Sequence, residues 1–144
     1  EIFDEDIIAL VDDQLSQAQS HIRFVSLGVM AGSIGPQSAH IVLEVDGQSR
    51  AAHSAGSGPV DAIFRAIHEL VPHEAKLQLY QVHAVTGGTD AQAEVTVRLE
   101  EHGKTVNGQG ADYDTLVASA RAYVHALNKL LDKRSKTAPT ALTA

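Results

Sequence analysis

The chain makes one structural move twice, and that repetition limits its possible folds more than any other feature. In the first half, three strand-like runs lead into Gly56-Ser57-Gly58-Pro59-Val60-Asp61-Ala62, which opens an amphipathic helix. In the second half, three more runs lead into Gly108-Gln109-Gly110-Ala111-Asp112, which opens another. Each half therefore reads β-β-β-α. A unit of this kind cannot bury its sheet face alone, so the two must pack together about a pseudo-two-fold axis. The fold class is α+β: two β-β-β-α units related by pseudo-two-fold symmetry, preceded by a linker helix.

The strands carry the repeat in detail. Ile22 and Phe24 alternate, then the phase slips by one to Val25, Leu27 and Val29. Leu77 and Leu79 alternate, then slip to Tyr80 and Val82. A β-bulge at the same place in each copy explains both slips. Asp46-Gly47 turns the first hairpin and Glu101-His102-Gly103 the second. The third strand of the second copy reads about four residues shorter than that of the first, because Gly108 is taken as the start of its turn. The helices are expected over 59–71, stopped by Pro72, and over 112–131. Upstream, residues 4–18 read as a helix with Asp4 as N-cap and a narrow apolar stripe. The expected layout is a helical linker segment at 1–19, the duplicated domain at 20–131 and a flexible tail at 132–144.

Both glycine turns deliver the chain into a helix start, where free N–H groups and the helix dipole favour an anion. The plainer reading of each is a capped helix with no ligand. Read as a site, the pair suits a small zwitterion with an apolar side chain. Its carboxylate meets backbone N–H groups around Gly56, Ser57, Gly58 and Gly110. Its ammonium meets Asp61, Asp90 or Asp112, or free carbonyls, and its side chain lies against Val60, Ala62, Ala91 or Ala93, beside Gln92.

Other chemistries find little support. The formal net charge of −7 argues against a nucleic-acid partner. There is no apolar run long enough for a membrane span and no signal-peptide pattern, so a cytoplasmic location is expected. With no cysteine, thiolate chemistry, disulfides and cysteine-based zinc sites are excluded. His68-Glu69-Leu70-Val71-Pro72-His73 has one residue too many for a His-Glu-x-x-His metal motif, and Pro72 breaks the helix that would align it. Ser119 has no evident base, and neither glycine turn is followed by the Gly-Lys-Ser/Thr of a phosphate-binding loop. The chain is expected to be non-catalytic, without metal or cofactor of its own. It begins at Glu1 rather than methionine, as a piece of a longer protein would.

Three stretches carry a family resemblance. Gly56-Ser57-Gly58-Pro59-Val60-Asp61-Ala62, the run from Ala84 to Val95 through Thr86-Gly87-Gly88-Thr89-Asp90-Ala91-Gln92-Ala93, and the run from Ala118 to Asn128 resemble the C-terminal regulatory domain of the 2-isopropylmalate synthases, which the citramalate synthases share. The resemblance covers roughly residues 20–131, and residues 1–19 resemble the helical linker before that domain. It implies a paired chain whose end-product amino acid binds near the dimer interface and slows a distant catalytic domain. That domain is a TIM barrel, dependent on a divalent metal, that condenses acetyl-CoA with a 2-oxo acid. Leucine is the implied effector, with isoleucine the alternative if the parent is a citramalate synthase. A purely structural dimerisation module is the competing class. The leucine contacts carry over best to the glycine turns and to the strand start from Thr89 to Ala93. Gly110-Ala111-Asp112 departs from the Gly-Pro form of the first copy, so the two starts need not bind equally.

Overall fold

A computed structural model describes residues 21–84 and 91–143, and the side chains of residues 21–83 and 91–133. The expected linker helix and the Thr86–Asp90 turn lie outside the described residues. The described elements are β1 (Ile22–Met30), β2 (Gln37–Val45), β3 (Gln48–Gly56), α1 (Pro59–Leu70), β4 (Lys76–Ala84), β5 (Ala93–Glu101), β6 (Lys104–Asp112) and α2 (Thr115–Thr143). They form two separate three-stranded antiparallel sheets, ordered β1-β2-β3 and β4-β5-β6, each followed by its helix.

The repeat holds at the level of single residues. Asp46-Gly47 and His102-Gly103 turn their hairpins with positive φ at both positions, as a two-residue hairpin of primed type requires. Both bulges are present, between Phe24 and Ser26 and between Leu77 and Leu79. The second falls one alternation earlier than the sequence pattern suggests. Leu77, Tyr80 and Val82 share the register of Leu99, Val97 and Val95, while Leu79 pairs with Arg98 on the opposite face. Matching the hairpins makes Gly58 equivalent to Asp114, Arg65 to Arg121 and Ala52 to Gly108. Through Leu43 and Leu99, Phe24 is likewise equivalent to Leu77.

Two expectations need correction. β6 is as long as β3, nine residues each, so Gly108 and Gly110 lie inside a strand rather than in a turn. Their role is close approach. A Cβ on Gly110 would stand 2.5 Å from the Ala118 carbonyl oxygen, and one on Gly108 would fall on the backbone of Ala122 and Ala126. With Ala118, Ala122 and Ala126 facing them, α2 can lie almost directly on β6. Helix α2 also begins at Thr115 rather than 112, and it runs to Thr143 rather than ending at 131.

The helices lie between the sheets. α1 buries Ala62, Ile63, Ala66 and Ile67 against Ala39, Ile41 and Leu43 of the first sheet. α2 packs on β6 and β5 and also reaches β1. The Asn128 amide closes that second contact. Its Oδ1 accepts the N–H groups of His21 and Ile22, both at 2.9 Å, and its Nδ2 donates to the Ile22 carbonyl at 2.8 Å. The helices meet through stacked rings of Phe64 and Tyr123, 4.2 Å apart, with Tyr80 edge-on to Phe64. Burial pushes the Tyr123 phenol up to about 12.

Candidate functional site

The two helix starts are built differently. At α1, Gly58 is the N-cap in extended backbone (φ −158°, ψ 174°), Pro59 follows in the first turn, and no side chain caps the helix. Val60 and Asp61 therefore present their N–H groups at the helix end. The Asp61 carboxylate turns back, accepting the Ser57 N–H at 2.9 Å and pairing with Arg65 Nε at 2.9 Å. The Ser57 N–H, with Arg65 adding its charge, holds this carboxyl below the usual carboxylate range. Gly56 permits the fold-back, since a Cβ there would stand 2.6 Å from both the Ala62 nitrogen and Asp61 Oδ2. A Cβ on Gly58 would meet nothing within 4 Å.

At α2 the same position carries a carboxylate. Asp114 Oδ1 accepts the Leu116 N–H at 2.8 Å, and Asp112 Oδ1 accepts the Asp114 N–H at 2.9 Å. This start is already capped by an anion from its own chain. Asp112, expected in the first turn of the helix, instead ends β6.

The seams between each helix and the opposite unit differ in the same sense. At α2 and β1, the Arg121 guanidinium lies over the Phe24 ring, 4.9 Å from its centre, and Asn128 ties the strand. At α1 and β4, the equivalent Arg65 bonds to Asp61 instead, and the residue equivalent to Phe24 is the smaller Leu77, 47% exposed. The seam stays open as a cavity of about 700 Å³. Phe64, Ala75, Leu77 and Tyr123 make its apolar walls, and Asp61, Arg65, His53, His68 and Glu69 its polar ones. Val82, on the same face of β4, is 45% exposed.

The residues expected to form a site thus fall into two groups. Gly56, Ser57, Gly58, Val60 and Asp61 gather at the open start of α1, but Ala62 is fully buried in the core and has no surface to offer. Ala91, Gln92 and Ala93 stand at the beginning of β5, where Ala93 pairs with both Ala84 and Asp112, so they group with Gly110 and Asp112 at the start of α2. Asp90 lies outside the described residues. Sequence reasoning missed Phe64, Arg65, Leu77 and Tyr123 as cavity walls. The available signal was the Phe24-to-Leu77 difference between the copies, which appears only once the bulges fix the alignment.

Several polar groups in and around this seam have structural partners. Ser119 is buried, donates to the Thr115 carbonyl and bonds the Tyr80 hydroxyl at 2.7 Å. His68 Nε2 meets the His73 carbonyl at 3.0 Å, and His73 Nε2 meets the Tyr123 hydroxyl at 3.1 Å. Among the described residues no group of three His, Asp or Glu side chains could hold a metal ion. No helix among the described residues is long and apolar enough to cross a membrane.

The sequence profile of the LeuA allosteric (dimerisation) domain matches residues 1–131. The chain belongs to this family. Among curated relatives it is 57% identical over 141 residues to a 2-isopropylmalate synthase of Afipia carboxidovorans, covering 98% of this chain and 27% of that protein. It is 56% identical over 144 residues to the 2-isopropylmalate synthase of Nitrobacter hamburgensis, covering all of this chain and 28% of the relative. With that of Rhodopseudomonas palustris it shares 58% identity over 137 residues, covering 95% of the chain and 26% of the relative. The chain thus spans about a quarter of the length of the curated relatives it matches.

Proposed function

We propose that this chain is the leucine-sensing part of a cytoplasmic 2-isopropylmalate synthase, that it works as a homodimer, and that it mediates feedback inhibition of a catalytic barrel elsewhere in the parent chain. One observation carries the reading: one helix start is uncapped and opens beside a cavity with both apolar and charged walls, while its pseudo-symmetric counterpart is filled by its own Asp114. The carboxylate of leucine sits at the Val60 and Asp61 N–H groups, where the helix dipole favours negative charge. Its isobutyl group lies on the wall made by Phe64 and Leu77, and its ammonium faces Asp61 or Glu69. The relatives are synthases of isopropylmalate, which favours leucine over isoleucine as effector. The divalent metal of the condensation is assigned to the parent's barrel.

Isothermal calorimetry of the chain with leucine, isoleucine and valine tests the proposal. Leucine is expected to bind, and to bind more tightly than isoleucine by about tenfold, the scale on which one displaced methyl group is discriminated. Absence of binding to all three amino acids would assign the chain to the structural dimerisation modules.

A further inference from the structure

Six of the eight histidines are engaged by neighbours. His21 lies 3.4 Å from the Asp46 carboxylate, His102 3.1 Å from that of Glu74, and His83 3.4 Å from the Gln81 amide oxygen. His68 meets the His73 carbonyl, and His73 uses both ring nitrogens, on the Ala75 N–H and the Tyr123 hydroxyl. His125 accepts the Gln109 N–H. Among the described residues, none forms a hydrogen bond or an ion pair with the rings of the other two, His40 and His53. These two are cross-strand partners on β2 and β3, with ring centres 6.3 Å apart and planes tilted by 61°. Both are exposed, on the face of the first sheet away from the helices.

We propose that His40 and His53 form a two-imidazole site for a late first-row divalent ion, holding Cu²⁺ most tightly, with water in the remaining positions. The pair matches no ligand spacing in sequence; the strand register brings it together. Val45 and Gln48 flank the two-residue turn as a hydrogen-bonded pair, and the pair type alternates from there along the ladder. His40 and His53 are then a non-hydrogen-bonded pair, the kind whose side chains stand closest, with Cβ atoms about 4.5–5.5 Å apart. A metal–nitrogen bond is about 2.0–2.1 Å, so one ion touches a nitrogen of each ring once the ring centres close to roughly 5 Å. Nothing holds the rings from that small rotation. Gly28 faces His40 from β1, and a Cβ there would meet nothing within 4 Å, which leaves room for bound water. The cation on this face, Arg23, is paired with Glu44 at 3.1 Å, and the formal charge of −7 favours a cation over the whole molecule. Imidazole suits Ni²⁺, Cu²⁺ and Zn²⁺ rather than Mg²⁺, and affinity peaks at Cu²⁺. The equivalent pair in the second sheet is Thr96 and Gln109, so the site belongs to the first copy alone.

Calorimetric titration of the chain with Cu²⁺ tests this, on wild type, His40→Ala, His53→Ala, the double variant and His83→Ala, with circular dichroism to confirm folding. Wild type is expected to take one Cu²⁺ at its tightest site. Loss of either imidazole removes the chelate and should weaken that site at least about tenfold, because the second ligand no longer binds as an intramolecular one. The double variant should bind no more weakly than about the weaker single one, and His83→Ala should bind as wild type does. Electron paramagnetic resonance gives a second readout: Cu²⁺ coupled to two imidazole nitrogens in wild type and to one in either single variant. Wild-type affinity in both single variants would overturn the site. So would losses that add in the double variant, the mark of two independent histidines, or a loss as large in His83→Ala.

Discussion

The two β-β-β-α units share strand lengths, bulges and hairpin geometry, yet they end differently. The second unit is closed. Asp114 caps its helix, glycines let that helix lie on the strand, and Arg121 and Asn128 seal it to β1. The first unit is left open at the equivalent points. Gly58 stands where Asp114 stands, Arg65 is drawn away by Asp61, and Leu77 is too short to fill the place of Phe24. The comparison teaches that a duplicated fold can close one copy and leave the other open with few changes of residue.

The largest expected effect tests the closed unit. Gly108→Ala forces a Cβ into the α2 backbone and should cost about 3 kcal/mol in urea unfolding, at the upper end of overpacking penalties. The equivalent position in the open unit is Ala52, which already carries that Cβ, so the reverse exchange Ala52→Gly should cost less than about 1 kcal/mol. Comparable losses at the two positions would mean that the helices sit on their sheets alike. Next, Asn128→Ala removes three bonds from α2 to the head of β1 and should cost about 2 kcal/mol, measured the same way.

The third prediction converts the open start into the closed one. Gly58→Asp supplies the carboxylate that Asp114 supplies in α2, which should fill the anion position and repel leucine. Leucine affinity is expected to fall at least about tenfold, near 1.4 kcal/mol, while stability changes by a few tenths of a kcal/mol. Because Gly58 has extended backbone and open space around it, Gly58→Ala should keep both fold and binding. Calorimetry on the two variants decides it, and equal leucine affinity in wild type and Gly58→Asp would place the ligand elsewhere.

The smallest effect concerns pH. His125 accepts the Gln109 N–H at 2.9 Å through Nδ1, and burial, with the Lys129 charge nearby, lowers its pKa from 6.5. A histidine depressed in the folded state contributes stability that is complete above its unfolded value and is lost as pH falls through the folded one. Stability should therefore decline on acidification below about 6.5, and His125→Gln should flatten that decline. Asp61, held below 3.8 in the first unit, loses its contribution only at still lower pH. Unfolding curves between pH 7 and 4 separate the two.

Much of the architecture was legible because periodicity is local. The phase slips, Asp46-Gly47 and Pro59 each report a backbone geometry that neighbouring residues settle among themselves; the first slip, the hairpin turn and the helix start appear where the pattern put them, and the second slip falls one alternation early. The start of α1 was legible for the same reason. Gly108 and Gly110 were misread because a glycine has one appearance in sequence and two uses: it turns a chain, or it lets another backbone come close. Only the position of Ala118, Ala122 and Ala126 across from them shows the second use. The cavity was invisible for a related reason. It is the space left where Leu77 and Arg65 fail to repeat the meeting of Phe24 and Arg121, residues far apart in the chain.

By itself the amino-acid order determined the repeat, the class of fold and the start of α1, since each is written in side-chain period, turn chemistry and capping within a few residues. The tertiary structure alone decided which copy is open. That depends on whether a helix of one unit reaches a strand of the other, a matter of packing between segments that no local rule connects.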